Sequence, residues 1–130
     1  MPFVALVVDD SMLVRHTVCR FLEERGFTVE SAANGLEGLA VLARVRPDVI
    51  ITDLQMPGMG GSEFISALKS KGETANIPIV ILAGRASRSD EKEKRADFAI
   101  YKAIDIIEQL EKALAATMPD GAARGHASGK

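Results

Sequence analysis

Short runs of β-branched and aliphatic residues punctuate this chain. Two of them, Val4-Ala5-Leu6-Val7-Val8 and Val49-Ile50-Ile51-Thr52, show no alternation of hydrophobic and polar positions. A strand that is apolar throughout has no face to give to water, so it belongs in a sheet covered on both sides. Such sheets are parallel and use helices as crossovers. The intervening segments supply those helices, because their apolar residues recur with the helical period of about 3.6. The pattern predicts strands over 3–8, 27–32, 48–52, 77–83 and 98–101, and helices over 12–25, 35–44, 61–70 and 104–117. Together they form a doubly wound α/β fold of (βα)5 type around a parallel five-stranded sheet.

Periodicity also assigns the inward faces: Val14, Val18, Phe21 and Leu22 on the first helix, then Leu36, Leu39, Ala40 and Ala43 on the second. Phe64, Ala67 and Leu68 face inward on the third, and Ile107, Leu110 and Leu114 on the last. Ile106 is offset from that stripe and suits either a dimer contact or the core. Asn34-Gly35-Leu36-Glu37 reads as a capping box, as does Asp105 with Glu108, while Gly26 after Arg25 suits a left-handed helix end. Ser87-Arg88-Ser89-Asp90-Glu91-Lys92-Glu93-Lys94-Arg95 has no apolar stripe, so a helix between the fourth and fifth strands is short or loosely ordered and its charges form a solvated face. After Pro119 too few large apolar residues remain to bury anything, which divides the chain into a domain over 1–118 and a flexible tail over 119–130.

A length of 130 residues suits one domain. No apolar stretch reaches the roughly 18 residues of a membrane span, and the N-terminus lacks the features of a signal peptide, so the cytoplasm is the expected compartment. Cys19 is the only cysteine, and its helical spacing from Val18 and Leu22 makes it core filler. A net charge of -2 with interspersed signs argues against an extended nucleic-acid surface or a polybasic membrane anchor.

Acidic residues mark the exits of the first and third strands. Asp9-Asp10 closes the first, and Asp53 closes the third strand before the turn-forming Leu54-Gln55-Met56-Pro57-Gly58. Were these strands adjacent, three carboxylates would share one sheet edge. Two carboxylates about 4 Å apart repel by roughly 4 kcal/mol at an effective dielectric near 20, so the cluster needs a cation. A plainer reading lets Asp10 or Ser11 do no more than cap the first helix. His16 has no cysteine or second histidine at ligand spacing and is expected in solvent. Gly58-Met59-Gly60-Gly61 lacks the Lys-Ser/Thr of a phosphate loop and reads as a turn.

Leu6-Val7-Val8-Asp9-Asp10-Ser11, Asp53-Leu54-Gln55-Met56-Pro57-Gly58 and Tyr101-Lys102 together resemble the receiver domain of two-component response regulators, over roughly residues 3–117. The resemblance is to the chemotaxis-regulator type and implies the flavodoxin-like strand order 2-1-3-4-5. It further implies a Mg²⁺ ion bound directly by Asp10 and Asp53, with Asp9 acting through water or orienting the site, and with a backbone carbonyl from Gln55. Mg²⁺ takes oxygen ligands, keeps several waters and pairs with phosphate, which suits an open acidic pocket. Asp53 would be the nucleophile that becomes an acyl phosphate, and Lys102 would bind the phosphoryl oxygens. A plainer reading pairs Lys102 with Asp53 without any phosphate. The implied donor is a phosphohistidine on a sensor histidine kinase or phosphotransfer protein, and slow self-dephosphorylation is the only catalysis implied.

Departures from the family pattern bear on the output. Ala83 stands where the family carries a switch Thr or Ser, Ala99 where it carries a rotating aromatic residue, and Ala103 where it usually has a cis-proline. Phe98 lies one residue out of register and so on the opposite face of its strand. The stretch between Ala83 and Lys102 is also short for the family. These changes keep the acceptor chemistry and remove the parts that report it. A stand-alone receiver with a rewired switch around Gly84, Arg85 and Ser87, a phosphate sink, and a phosphorylation-independent adaptor all remain open. A small-molecule phosphatase of the haloacid-dehalogenase type is disfavoured, because its general acid would fall at Gln55. The expected state is a monomer or weak dimer.

Overall fold

The structure, a computed structural model, describes residues 3–54, 56, 58–83, 96–101 and 105–117. β1 (Val4–Val8) lies between β2 (Thr28–Ala32) and β3 (Val49–Asp53), and β4 (Ile79–Ala83) and β5 (Phe98–Tyr101) follow on the β3 side. All four pairings are parallel, in the order β2-β1-β3-β4-β5. β3 and β4 are buried at every position, as runs without alternation require when both sheet faces are covered.

Among the described residues, four helices do the covering: α1 (Met12–Glu24), α2 (Gly35–Leu42), α3 (Gly61–Lys69) and α4 (Ile106–Thr117). Successive strand residues point to opposite faces and so divide between two cores. Ala5, Val7, Val49, Ile51, Val80 and Leu82 pack with Val18, Phe21 and Leu22 of α1 and Leu110, Ala113 and Leu114 of α4. Leu6, Val8, Ile50, Ile79, Ile81 and Ala83 pack with Val41, Phe64, Ile65 and Leu68 of α2 and α3. Among the described residues, the predicted strands and the helices with an apolar stripe are present, with ends shifted by at most two residues.

Two helical stripes need correction. On α2, Leu36 is 61% exposed and Ala40 and Ala43 also face solvent, while Gly35, Gly38 and Val41 are buried. The physical reason is close approach: a Cβ on Gly38 would stand 2.9 Å from the Phe64 ring of α3 and 3.3 Å from the Val8 side chain of β1, so the glycine face is the one that fits between them. On α4, Ile107 is 37% exposed, and Ile106 packs against the core in its place. Of the two roles open to Ile106, core completion is the one it takes. Ile65 is a further fully buried residue of α3 that periodicity did not assign.

The caps follow the expected chemistry with one difference. Asn34 Oδ1 accepts from Glu37 N at 2.9 Å, but Glu37 reaches back to Ala33 N at 2.9 Å and not to Asn34 N. Asp105 Oδ1 accepts from Ile107 N at 3.1 Å and Glu108 N at 3.3 Å, which starts α4 two residues later than predicted. Gly26 adopts φ 89°, the left-handed end expected of it. At the opposite sheet edge, Asp48 Oδ2 accepts from Val4 N and Asp97 Oδ2 from Ile79 N, both at 2.8 Å, tying the starts of neighbouring strands together.

The helix expected between the fourth and fifth strands, residues 84–95 with Gly84, Arg85 and Ser87, lies outside the described residues, as do Ala103 and the 119–130 tail.

Candidate functional site

β1 and β3 are neighbours with Val8 opposite Thr52, so the chain leaves both strands at the same carboxyl edge. Asp9 and Asp53 have the parity of Val7 and Ile51 and stand side by side on the α1 side of the sheet. Asp9 and Asp53 are buried and Asp10 is exposed; carboxylate oxygens from the three lie within 4.8 Å of one another.

Local chemistry holds them there. Ser11 is the N-cap of α1, accepting from Val14 N through Oγ at 3.3 Å. Capping therefore falls to Ser11 and leaves the Asp10 carboxylate to the cluster. Ser11 N donates to Asp9 Oδ1 at 2.8 Å, which anchors that carboxylate at the N-terminus of α1. Arg15, which sequence reasoning did not single out, donates from Nη1 to the Asp9 carbonyl at 2.6 Å. Its only signal was a cation one turn into the helix that begins after the acidic pair.

Around Asp53 the constraint is steric. Gly61 N donates to Leu54 O at 2.9 Å, and any Cβ at Gly61 would run into the Asp53 carbonyl oxygen and Leu54 Cα. Only glycine lets the first turn of α3 lie on the end of β3. Thr52 Oγ1 donates to the Asp53 carbonyl at 2.9 Å. Beside this edge, β4 ends in fully buried Ala83, a methyl group in the α2–α3 core. Ala99 packs against that same core and Phe98 against the α1–α4 core, so the two residues face opposite ways as strand geometry requires.

Gln55 and Lys102 lie outside the described residues; Lys102 follows β5, whose last residue Tyr101 pairs with Ala83. His16 is exposed, and Gly58 turns the chain before α3 with φ 76°. Cys19 is half-buried against the α1–α4 core, and burial pushes its thiol up from the ordinary value.

Among the described residues, the donor set of the cluster is carboxylate oxygen. Hard oxygen donors suit Mg²⁺, Ca²⁺ or Mn²⁺ and lack the thiolate and imidazole favoured by softer metals. Asp9, Asp10 and Asp53 can thus hold a divalent cation that relieves their mutual repulsion.

The sequence model of the response regulator receiver domain matches residues 5–115. The chain belongs to that family. A curated relative, response regulator MprA of Mycobacterium leprae (strain TN), is 35% identical over 124 residues, 91% of this chain and 54% of its own length. MprA of Mycobacterium sp. (strain KMS) is 40% identical over 90 residues, 69% of this chain and 38% of its own length. This receiver thus spans about half or less of the curated relatives it matches. Among solved structures, Vibrio cholerae chemotaxis protein CheY4 superposes with a TM-score of 0.83 at 34% identity, covering 91% of this chain and all of that one. The receiver domain of sensor histidine kinase PA1611 from Pseudomonas aeruginosa, solved with magnesium in its active-site cleft, shares the fold with a TM-score of 0.80 at 18% identity; 90% of this chain and 98% of that one are covered. Among the described residues of this receiver, no helix is long and apolar enough to cross a membrane.

Proposed function

We propose that this receiver accepts a phosphoryl group on Asp53 from the phosphohistidine of a sensor histidine kinase or phosphotransfer protein, with Mg²⁺ held by Asp9, Asp10 and Asp53. The observation that carries the reading is the meeting of three carboxylates at the adjacent ends of β1 and β3.

Asp53 is the last residue of a fully buried strand, which fixes its carboxylate within 4.8 Å of those of Asp9 and Asp10. One Asp53 oxygen attacks phosphorus, an O–P bond forms, and the P–N bond to the donor imidazole breaks. The leaving imidazole keeps that electron pair and takes a proton from solvent, and Asp53 is left as an acyl phosphate. Bound magnesium supplies neutralisation of the charge that phosphoryl and carboxylate oxygens bring together. Asp10 and Asp53 are its direct carboxylate ligands in this reading, and Asp9, anchored by Ser11 N, orients the site. Lys102 pairs with the phosphoryl oxygens, and the Gln55 carbonyl completes the ligand set. Turnover beyond slow self-dephosphorylation is not part of the proposal.

Buried Ala83 favours a modified output. A hydrogen bond to a charged partner contributes about 1.5–3 kcal/mol, and a methyl group offers none. Ala99 provides no aromatic ring to turn. Phosphorylation then acts as a sink or through a movement other than the hydroxyl-aromatic couple.

Intact-mass analysis after incubation with Mg²⁺ and acetyl phosphate or phosphoramidate tests the acceptor. The expected result is the gain of a single phosphoryl group by wild type and none by Asp53→Asn. An unmodified wild type would instead favour an adaptor that partners recognise without phosphorylation.

A further inference from the structure

We propose that Arg15 is a positioning residue for the acidic site: through the Asp9 carbonyl it fixes the backbone that carries the Asp9 and Asp10 carboxylates, and so sets affinity for a divalent cation. The inference rests on the metal-binding reading above and deepens it.

Asp9 lies one residue beyond the end of β1, where ladder pairing runs out. Its amide still donates to Ala32 O at 3.1 Å, and its carboxylate accepts from Ser11 N at 2.8 Å. Its carbonyl belongs to the peptide unit joining the two acidic residues, and the Nη1 of half-buried Arg15 is bonded to it at 2.6 Å. A guanidinium gives a short, charge-assisted bond in a fixed plane, so it restrains rotation of that unit. Rotation there would swing Asp10, at the bend that follows, relative to Asp9 and Asp53, which are held by the sheet. Arg15 itself rides on α1, whose register is set by the Ser11 cap and by buried Val18, Phe21 and Leu22.

The sign of the mutational effect separates this role from a purely electrostatic one. A cation near the cluster repels a second cation, so deleting Arg15 would tighten metal binding if charge alone mattered. Loss of a group that orients a ligand weakens metal binding by about tenfold or more. The two effects oppose each other, and the positioning role predicts the weaker affinity.

The test is titration of the full chain with Mg²⁺ followed by amide chemical shifts, in wild type, Arg15→Met and Arg15→Lys, with thermal midpoints in EDTA as a separate readout. Arg15→Met is expected to raise the Mg²⁺ Kd by about tenfold, with Arg15→Lys intermediate because it keeps the charge and a donor without the planar fork. An Arg15→Met Kd equal to or below wild type overturns the proposal, including the case in which only the midpoint in EDTA falls. If Arg15→Met does not fold, Arg15→Lys decides: weaker binding supports the role and wild-type binding overturns it. A wild type that binds no Mg²⁺ overturns the reading of the acidic site itself, and the role of Arg15 with it.

Discussion

Cys19 shows how a neighbourhood, and not a residue type, sets chemistry. Desolvation against the α1–α4 core is the main influence that raises its thiol above the ordinary 9.0; Glu23 adds to it and Arg15 opposes it. A group whose folded pKa is raised contributes stability that is fully present below the unfolded pKa and is lost as pH rises through the folded one. Unfolding midpoints in urea, followed from about pH 8 to about pH 11, should therefore fall more steeply for wild type than for Cys19→Ala. Parallel declines would show that the thiol does not couple to folding. The three acidic residues illustrate the same point. Each was legible as a strand-exit carboxylate, yet the assignment of Ser11 to the cap and Asp10 to the cluster came from the turn geometry that joins β1 to α1.

At the scale of elements, α2 is where hydrophobic periodicity pointed the wrong way. Its leucines and alanines suggested a face of Leu36, Leu39, Ala40 and Ala43; of these only Leu39 packs against the core, and the helix lies on Gly35, Gly38 and Val41. Periodicity reads the transfer of apolar side chains and is blind to how closely two backbones approach. Gly38→Ala would bring its Cβ to 2.9 Å and 3.0 Å from two ring carbons of fully buried Phe64, which has nowhere to move. Alanine gains about 1 kcal/mol of helix propensity over glycine, and overpacking costs about 1–3 kcal/mol, so a net loss of about 1 kcal/mol is expected in urea unfolding. Gly72→Ala, with nothing within 4 Å of its Cβ, is the control and should be neutral or slightly stabilising. On α4 the packed stripe is Ile106, Leu110, Ala113 and Leu114, at i, i+4, i+7 and i+8, which leaves Ile107 at its margin.

Across the molecule, the two cores bring β1 and β3 together and so force three negative charges onto one edge. Stability and metal binding are thereby linked. Mg²⁺ at a hundredfold excess over its Kd should stabilise the native state by about 2.7 kcal/mol, read as a rise in thermal midpoint. Asp10→Asn should raise the midpoint of the metal-free protein, because it removes repulsion, and shrink the rise produced by Mg²⁺. A variant that keeps the full Mg²⁺ response would exclude Asp10 as a ligand.

The layered α/β architecture was legible in residue order, because uniformly apolar strands have no face to give to water and so call for a sheet covered on both sides. The sequence by itself also determined which acidic residues end those strands, because strand ends are local. Tertiary structure decided the rest. Only the adjacency and register of β1 and β3 put Asp9 beside Asp53, only the packing distance between α2 and Phe64 chose the glycine face, and only the path of α1 brought Arg15 onto the Asp9 carbonyl. Each of these depends on distances between segments far apart in sequence or on the direction of a single turn, and neither is encoded in a local pattern of residue types.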